Sequence, residues 1–83
     1  MNYQKIYADL IYKRTVVEPL KKNGDGLIET HHIIPRSCGG TNARLNLVNL
    51  TLREHFIAHE LLVFLYAGTK YQAKMAHAWE MMV

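Results

Sequence analysis

The amino-acid sequence predicts an α+β fold, with two short strands set among three helices. Three observations carry that expectation. Apolar residues recur at helical spacing near the N-terminus, and short β-branched runs bounded by turn residues occupy the middle of the chain. Two capping-box signatures, Thr51 to Glu54 and Thr69 to Gln72, then open stretches of apolar pattern.

In order along the chain, Tyr3, Ile6, Tyr7, Leu10 and Ile11 form a helical stripe behind a candidate N-cap, Asn2, which predicts a helix over 3–16. Pro19 ends that pattern, and Lys21-Lys22-Asn23-Gly24-Asp25-Gly26 supplies turn chemistry. Leu27 to Ile34 is short, partly β-branched and stopped by Pro35, so it reads as a strand. A loop over 35–45 contains Gly39-Gly40 and Asn42, and Leu47 to Leu50 is a second strand. The Thr51 capping box predicts a helix over 52–67 with Gly68 as its stop. The Thr69 box predicts a last helix from 70 onward, burying Met75, Ala78, Trp79 and Met82. That helix carries no stop signal before Val83, so a truncated or minimal domain is expected, or a helix completed against a partner.

With 83 residues, 49% hydrophobic and 20% charged, the chain is one domain of ordinary globular composition. At this size folding buries only roughly 60–65% of the unfolded surface, so a staple is expected beside a thin core. Cys38 is the only cysteine, which excludes an internal disulfide and every zinc site built on paired cysteines. A lone thiol fits a reducing, cytoplasmic setting, and no signal peptide or membrane span of about 18 apolar residues is expected. The net charge of +3 permits a polyanionic partner without requiring one.

Five histidines in 83 residues is a high density. His55 and His59 stand four apart in the capped helix, so their imidazoles project from one face a turn apart. Such a pair bridges one cation at about 2.0–2.1 Å if it is zinc. His31 and His32 are adjacent near the end of the first strand, and a third imidazole from there would complete the ligand count of a catalytic zinc site with an open position.

The segment Glu29 to Leu62, ETHHIIPRSCGGTNARLNLVNLTLREHFIAHELL, resembles the HNH endonuclease motif, also called the ββα-metal or His-Me finger. It is most similar to phage-borne and homing-type members, through the pattern HHIIPR, GG, NLV, LT, REHF and AH, and it covers 34 of the 83 residues. The resemblance implies a ββα-metal core, a β-hairpin followed by a helix with the cation between them, flanked here by helices on either side. It places His31, His55 and His59 as metal ligands and His32 as the general base. Asn46 takes the middle position, bonding across the loop to hold His32 in place. The reaction implied is hydrolysis of DNA phosphodiesters, leaving 5′-phosphate and 3′-hydroxyl ends, with RNA as a further possible substrate.

These residue types suit that chemistry. A neutral imidazole, ordinarily titrating near about 6.5, accepts a proton from water, and a cation stabilises charge on phosphate and leaving group. Three imidazoles favour a transition ion such as Zn²⁺, Ni²⁺ or Mn²⁺ over Mg²⁺. One point resists the assignment: neighbours on a regular strand face opposite ways, so the strand must twist or end irregularly for both His31 and His32 to serve one site. Arg36 and Arg53 are candidates for phosphate contacts, the plainer reading of each, as of Arg44, being a solvated charge. Glu54 is accounted for by the capping box, His77 by packing or surface, and Cys38 as a small filler. No second zinc finger, helix-turn-helix or basic arm is recognisable, so little sequence specificity is expected, and target choice would lie in a region beyond this one. The competing reading is a non-catalytic, metal-stabilised module that binds nucleic acid or another partner.

Overall fold

A computed structural model describes residues 1–82. Its elements run α1 (Tyr3–Tyr12), β1 (Ile28–His32), β2 (Leu47–Thr51), α2 (Leu52–Leu65) and α3 (Gln72–Glu80). The two strands pair antiparallel, with Ile28 opposite Thr51 and His32 opposite Leu47. This is the α+β layout expected from the sequence: a hairpin running straight into a helix, with one helix before it and one after.

The register fixes which side chains meet the helices. Glu29 and His31 share one face of β1, opposite Leu50 and Val48 of β2, both buried. The core gathers there, where Tyr7 of α1, Val48, Leu50, Ala58, Leu61, Leu62 and Met75 pack together. Tyr3 stacks on Phe64, with ring centroids 4.5 Å apart and planes within 8°, which ties α1 to α2. On the last helix Met75 is buried and Ala78, Trp79 and Met82 are half-buried, so that stripe faces inward, while His77 is exposed.

Several boundaries differ from the sequence reading: α2 ends at Leu65 rather than 67 and β2 takes in Thr51, and three further differences have a local reason. Asn2 caps α1, accepting from the Lys5 backbone N–H, but the regular helix stops at Tyr12 and continues as a wider turn over Lys13–Val17. There the Thr15 hydroxyl bonds back to the Ile11 carbonyl, and Glu18 N–H reaches five residues back to Lys13. The first strand is shorter than 27–34, because Ile34 N–H turns to the side chain of Asn46. The Thr51 box is complete, Glu54 N–H donating to the Thr51 hydroxyl and Thr51 N–H to the Glu54 carboxylate. The Thr69 box does not form. Its hydroxyl donates to Tyr66 O at 2.6 Å, and the Gln72 side-chain oxygen accepts from Gly68 N–H, so α3 starts at Gln72 rather than 70. The expectation that the last helix runs on to Val83 lies outside the described residues.

Among the described residues, no helix is long and apolar enough to cross a membrane.

Candidate metal centre

His31 leaves β1 on the face that α2 covers, and His55 and His59 leave α2 one turn apart toward it. The three rings form a near-equilateral triangle, with centroids 5.1, 5.0 and 4.8 Å apart. One nitrogen from each lies within 4.8 Å of the others, so the group could hold a metal ion. Two nitrogens bonded to one tetrahedral zinc sit about 3.3 Å apart. The facing Nε2 atoms of His55 and His59 are separated by 3.1 Å.

Hydrogen-bond partners determine which nitrogens carry protons. The Nδ1 of His55 lies 2.9 Å from the Glu29 carboxylate, which only accepts, so Nδ1 is the N–H and Nε2 keeps its lone pair. The 3.1 Å contact then requires a proton on His59 Nε2, donated to His55. That leaves His59 Nδ1 buried with no partner. A cation replacing the shared proton would let His59 carry its hydrogen on Nδ1 instead. Two imidazole nitrogens facing each other at this distance, each with a lone pair to give once the shared proton leaves, make a donor set that fits a metal, and among the described residues His59 Nδ1 has no partner in either arrangement.

Burial keeps two of these rings, His31 and His59, neutral. Burial, with positive charge on His59, His55 and His32 added to it, pushes the His31 pKa down to about 3. His59 is pushed down to about 4, by burial first and by His55 second, with Glu29 opposing. Neutral imidazoles are the ligating form, so the protein presents His31 and His59 to a cation without first having to deprotonate them at neutral pH.

His32 sits at the end of β1, and with His31, His55, His59, Thr30, Pro35 and Arg36 it lines a cleft of about 360 Å³. His32 is the last residue of β1, paired with Leu47, and both it and His31 line the cleft although they are neighbours on the strand. Its Nε2 lies 2.8 Å from Asn42 Oδ1, an acceptor, so the hydrogen is on Nε2 and the lone pair is on Nδ1. Asn46 does bond across the loop: its side chain accepts from Ile34 N–H and donates to the carbonyls of Ile34 and Thr41. The imidazole of His32, however, is held by Asn42. Arg36 is exposed at the edge of the cleft, whereas Arg53, exposed on the first turn of α2, does not line it. A larger hollow of about 700 Å³ lies against the other face of the hairpin and contains none of the histidines.

Three contributors were not singled out from sequence. Glu29 stands two residues before His31, and strand alternation alone would have put it on the ligand face. Tyr7 was assigned to the helical stripe, but its hydroxyl partner lies 24 residues away. Asn42 looked like a loop residue, and nothing in its neighbourhood marked it as a partner of His32.

With this geometry in place, comparison with known proteins adds an independent finding. The chain is similar to probable mobile endonucleases of a phage. Over 66 residues it is 56% identical to the "Probable mobile endonuclease E" of Enterobacteria phage T4, covering 80% of this chain and 44% of that protein. The "Probable mobile endonuclease C" of the same phage is 42% identical over 73 residues, 88% of this chain and 34% of its own length. "Probable mobile endonuclease D" is 47% identical over 79 residues, 95% and 29% respectively. The chain thus spans less than half the length of each of these relatives. No protein-family model matches the chain. No solved structure matches it either.

Proposed function

We propose that this chain is the cutting domain of a metal-dependent DNA endonuclease of the HNH type, with His31, His55 and His59 as ligands and His32 as general base. The observation that carries the reading is the juxtaposition of two histidine functions in one cleft. Three imidazoles converge within 4.8 Å, and a fourth, His32, lines the same cleft with Nε2 held by Asn42 and Nδ1 left to face a substrate. A purely structural metal site has no need of the fourth. The names of the relatives, mobile endonucleases of a phage, point the same way.

A divalent cation at the three histidines would supply Lewis acidity to a phosphate oxygen and to the leaving 3′ oxygen. Three imidazoles favour Zn²⁺, Ni²⁺ or Mn²⁺ over Mg²⁺ for that place. His32 Nδ1 takes a proton from water as the water oxygen bonds to phosphorus, while Asn42 holds its Nε2–H. The bond to the 3′ oxygen breaks and that oxygen takes a proton from solvent, leaving 5′-phosphate and 3′-hydroxyl ends. Arg36, at the cleft edge, offers a guanidinium to a neighbouring phosphate, and Arg53 is left for backbone contacts outside the cleft.

The test is nicking of supercoiled plasmid across a series of divalent metals, with single-stranded DNA and RNA run alongside. The expected result is cleavage of DNA that chelation abolishes and that His32→Ala lowers by about 10²- to 10⁴-fold. Equal rates in the wild type and His32→Ala would overturn the base assignment. Metal binding with no cleavage under any cation would favour the stapled, non-catalytic module instead.

A further inference from the structure

We propose that Tyr7 is a positioning residue that fixes the tautomer of His31, so that His31 ligates through Nδ1 and the N-terminal helix becomes part of the metal site. The inference rests on the metal reading above and adds to it a residue outside the resembling segment.

The Tyr7 hydroxyl lies 2.8 Å from His31 Nε2 and 2.7 Å from the carbonyl oxygen of Ile33. A phenol has one proton, and a carbonyl oxygen only accepts. The proton of Tyr7 therefore goes to Ile33, and the hydroxyl oxygen accepts from His31 Nε2–H. Were the phenol to donate to His31 instead, two oxygens 2.7 Å apart would face each other with no hydrogen between them. With Nε2 protonated, Nδ1 is the only nitrogen of His31 with a lone pair to give a cation. Water cannot substitute readily for the phenol, since His31 is 2% exposed and Tyr7 is 9% exposed.

Two of the three ligand histidines are thereby set by different devices. His55 donates to a carboxylate from the adjacent strand, whereas His31 donates to a neutral hydroxyl from a separate helix. Tyr7 also straddles His32, since it binds the side chain before it and the carbonyl after it. Partners of this kind that orient ligating imidazoles are worth about 10- to 100-fold in metal affinity.

The experiment uses the whole chain, wild type, Tyr7→Phe and Tyr3→Phe, with Zn²⁺ as the probe. Affinity is measured by competition with a chromophoric chelator, and histidine ring tautomers by long-range ¹H–¹⁵N correlation. In metal-free wild type, His31 is expected as the Nε2–H form. Tyr7→Phe should weaken Zn²⁺ binding about 10- to 100-fold, with the single His31 tautomer lost. Tyr3→Phe removes a hydroxyl from the same helix at the Phe64 stack, and should bind as the wild type does. Equal affinity in Tyr7→Phe, or an Nδ1–H form of His31 in the wild type, overturns the proposal while leaving the metal site standing. The tautomer in the wild type decides even if Tyr7→Phe fails to fold. A wild type that binds no Zn²⁺ or other transition ion overturns the metal reading itself.

Discussion

Two asparagines divide the support of His32 between them. Asn46 clasps backbone on both sides of the loop, through Ile34 and Thr41, while Asn42 holds the imidazole itself. The two are therefore expected to fail differently. Asn46→Ala gives up three hydrogen bonds in one half-buried place and should lower unfolding stability by roughly 1–3 kcal/mol, read by urea denaturation. Asn42→Ala gives up one exposed bond. It should leave the denaturation midpoint nearly unchanged and lower DNA cleavage by about tenfold or more, because the ring no longer presents Nδ1 in a fixed direction. If the Asn42 variant cleaves at the wild-type rate, something else orients His32. The sequence pointed to the histidines as chemistry, through a resemblance and a spacing. It could not point to Asn42, Tyr7 or Glu29 as their partners, because such bonds join residues 10, 24 and 26 positions apart and depend on how the elements dock.

At the scale of elements, what was legible was whatever a few neighbouring residues decide alone. Thr51 follows an extended strand residue and sits at φ −66° and ψ 163°, so its hydroxyl and Glu54 are free to close a reciprocal cap. Thr69 carries the same signature but follows Gly68, at φ +80°, in a tight turn whose own polar groups capture both partners first. Thr51→Ala should accordingly cost about 1 kcal/mol, and Thr69→Ala distinctly less helix-capping energy, compared by thermal melts of the two variants. The double glycine of the loop over 35–45 has two members that serve different needs. Gly39 has φ +95° and open space around it. Gly40 has no room: a Cβ there would stand 1.8 Å from the Ile34 carbonyl oxygen and 3.0 Å from Asn46 Nδ2. Since the obstacle is backbone, Gly40→Ala must move the loop away from Asn46. It should destabilise by about 1–3 kcal/mol or more and impair cleavage along with stability, which separates it from Asn42→Ala. Wild-type melting in Gly40→Ala would mean that the loop rearranges freely.

For the whole molecule, the thin core and the histidine cluster are one problem. Among the described residues seven apolar ones are buried, a single cysteine allows no internal disulfide, and β1 and α2 meet through three imidazoles that a cation would join. Binding to the folded state alone stabilises by about 2.7 kcal/mol at a hundredfold excess over Kd. At about 4–8 °C per kcal/mol for a domain of this size, saturating Zn²⁺ should raise the melting temperature by roughly 10–20 °C, and a chelator should reverse it. Acid should act in the opposite sense, even without metal. The folded pKa values of His31 and His59, about 3 and about 4, lie below the ordinary 6.5 that these groups regain on unfolding. Between those limits the unfolded chain binds more protons than the folded one, so stability is complete above 6.5 and falls as pH drops toward 4 and 3. The groups facing His31 deepen the effect: His55, His59 and His32 repel its charged form, and Tyr7 offers no negative charge to offset them. Glu54 adds to it lower down. Burial raises its pKa, but bonds from Arg14 and Thr51 outweigh that and hold it below the ordinary carboxylate value, so protonating it costs further stability. Melting metal-free protein at intervals from pH 7.5 to 4.5 should therefore show a loss of about 1–2 kcal/mol for each pH unit below 6.5. A His31→Asn variant should flatten that slope. A melting temperature constant from pH 7 to 5 would mean that His31 and His59 take up protons in the folded state as readily as in the unfolded one.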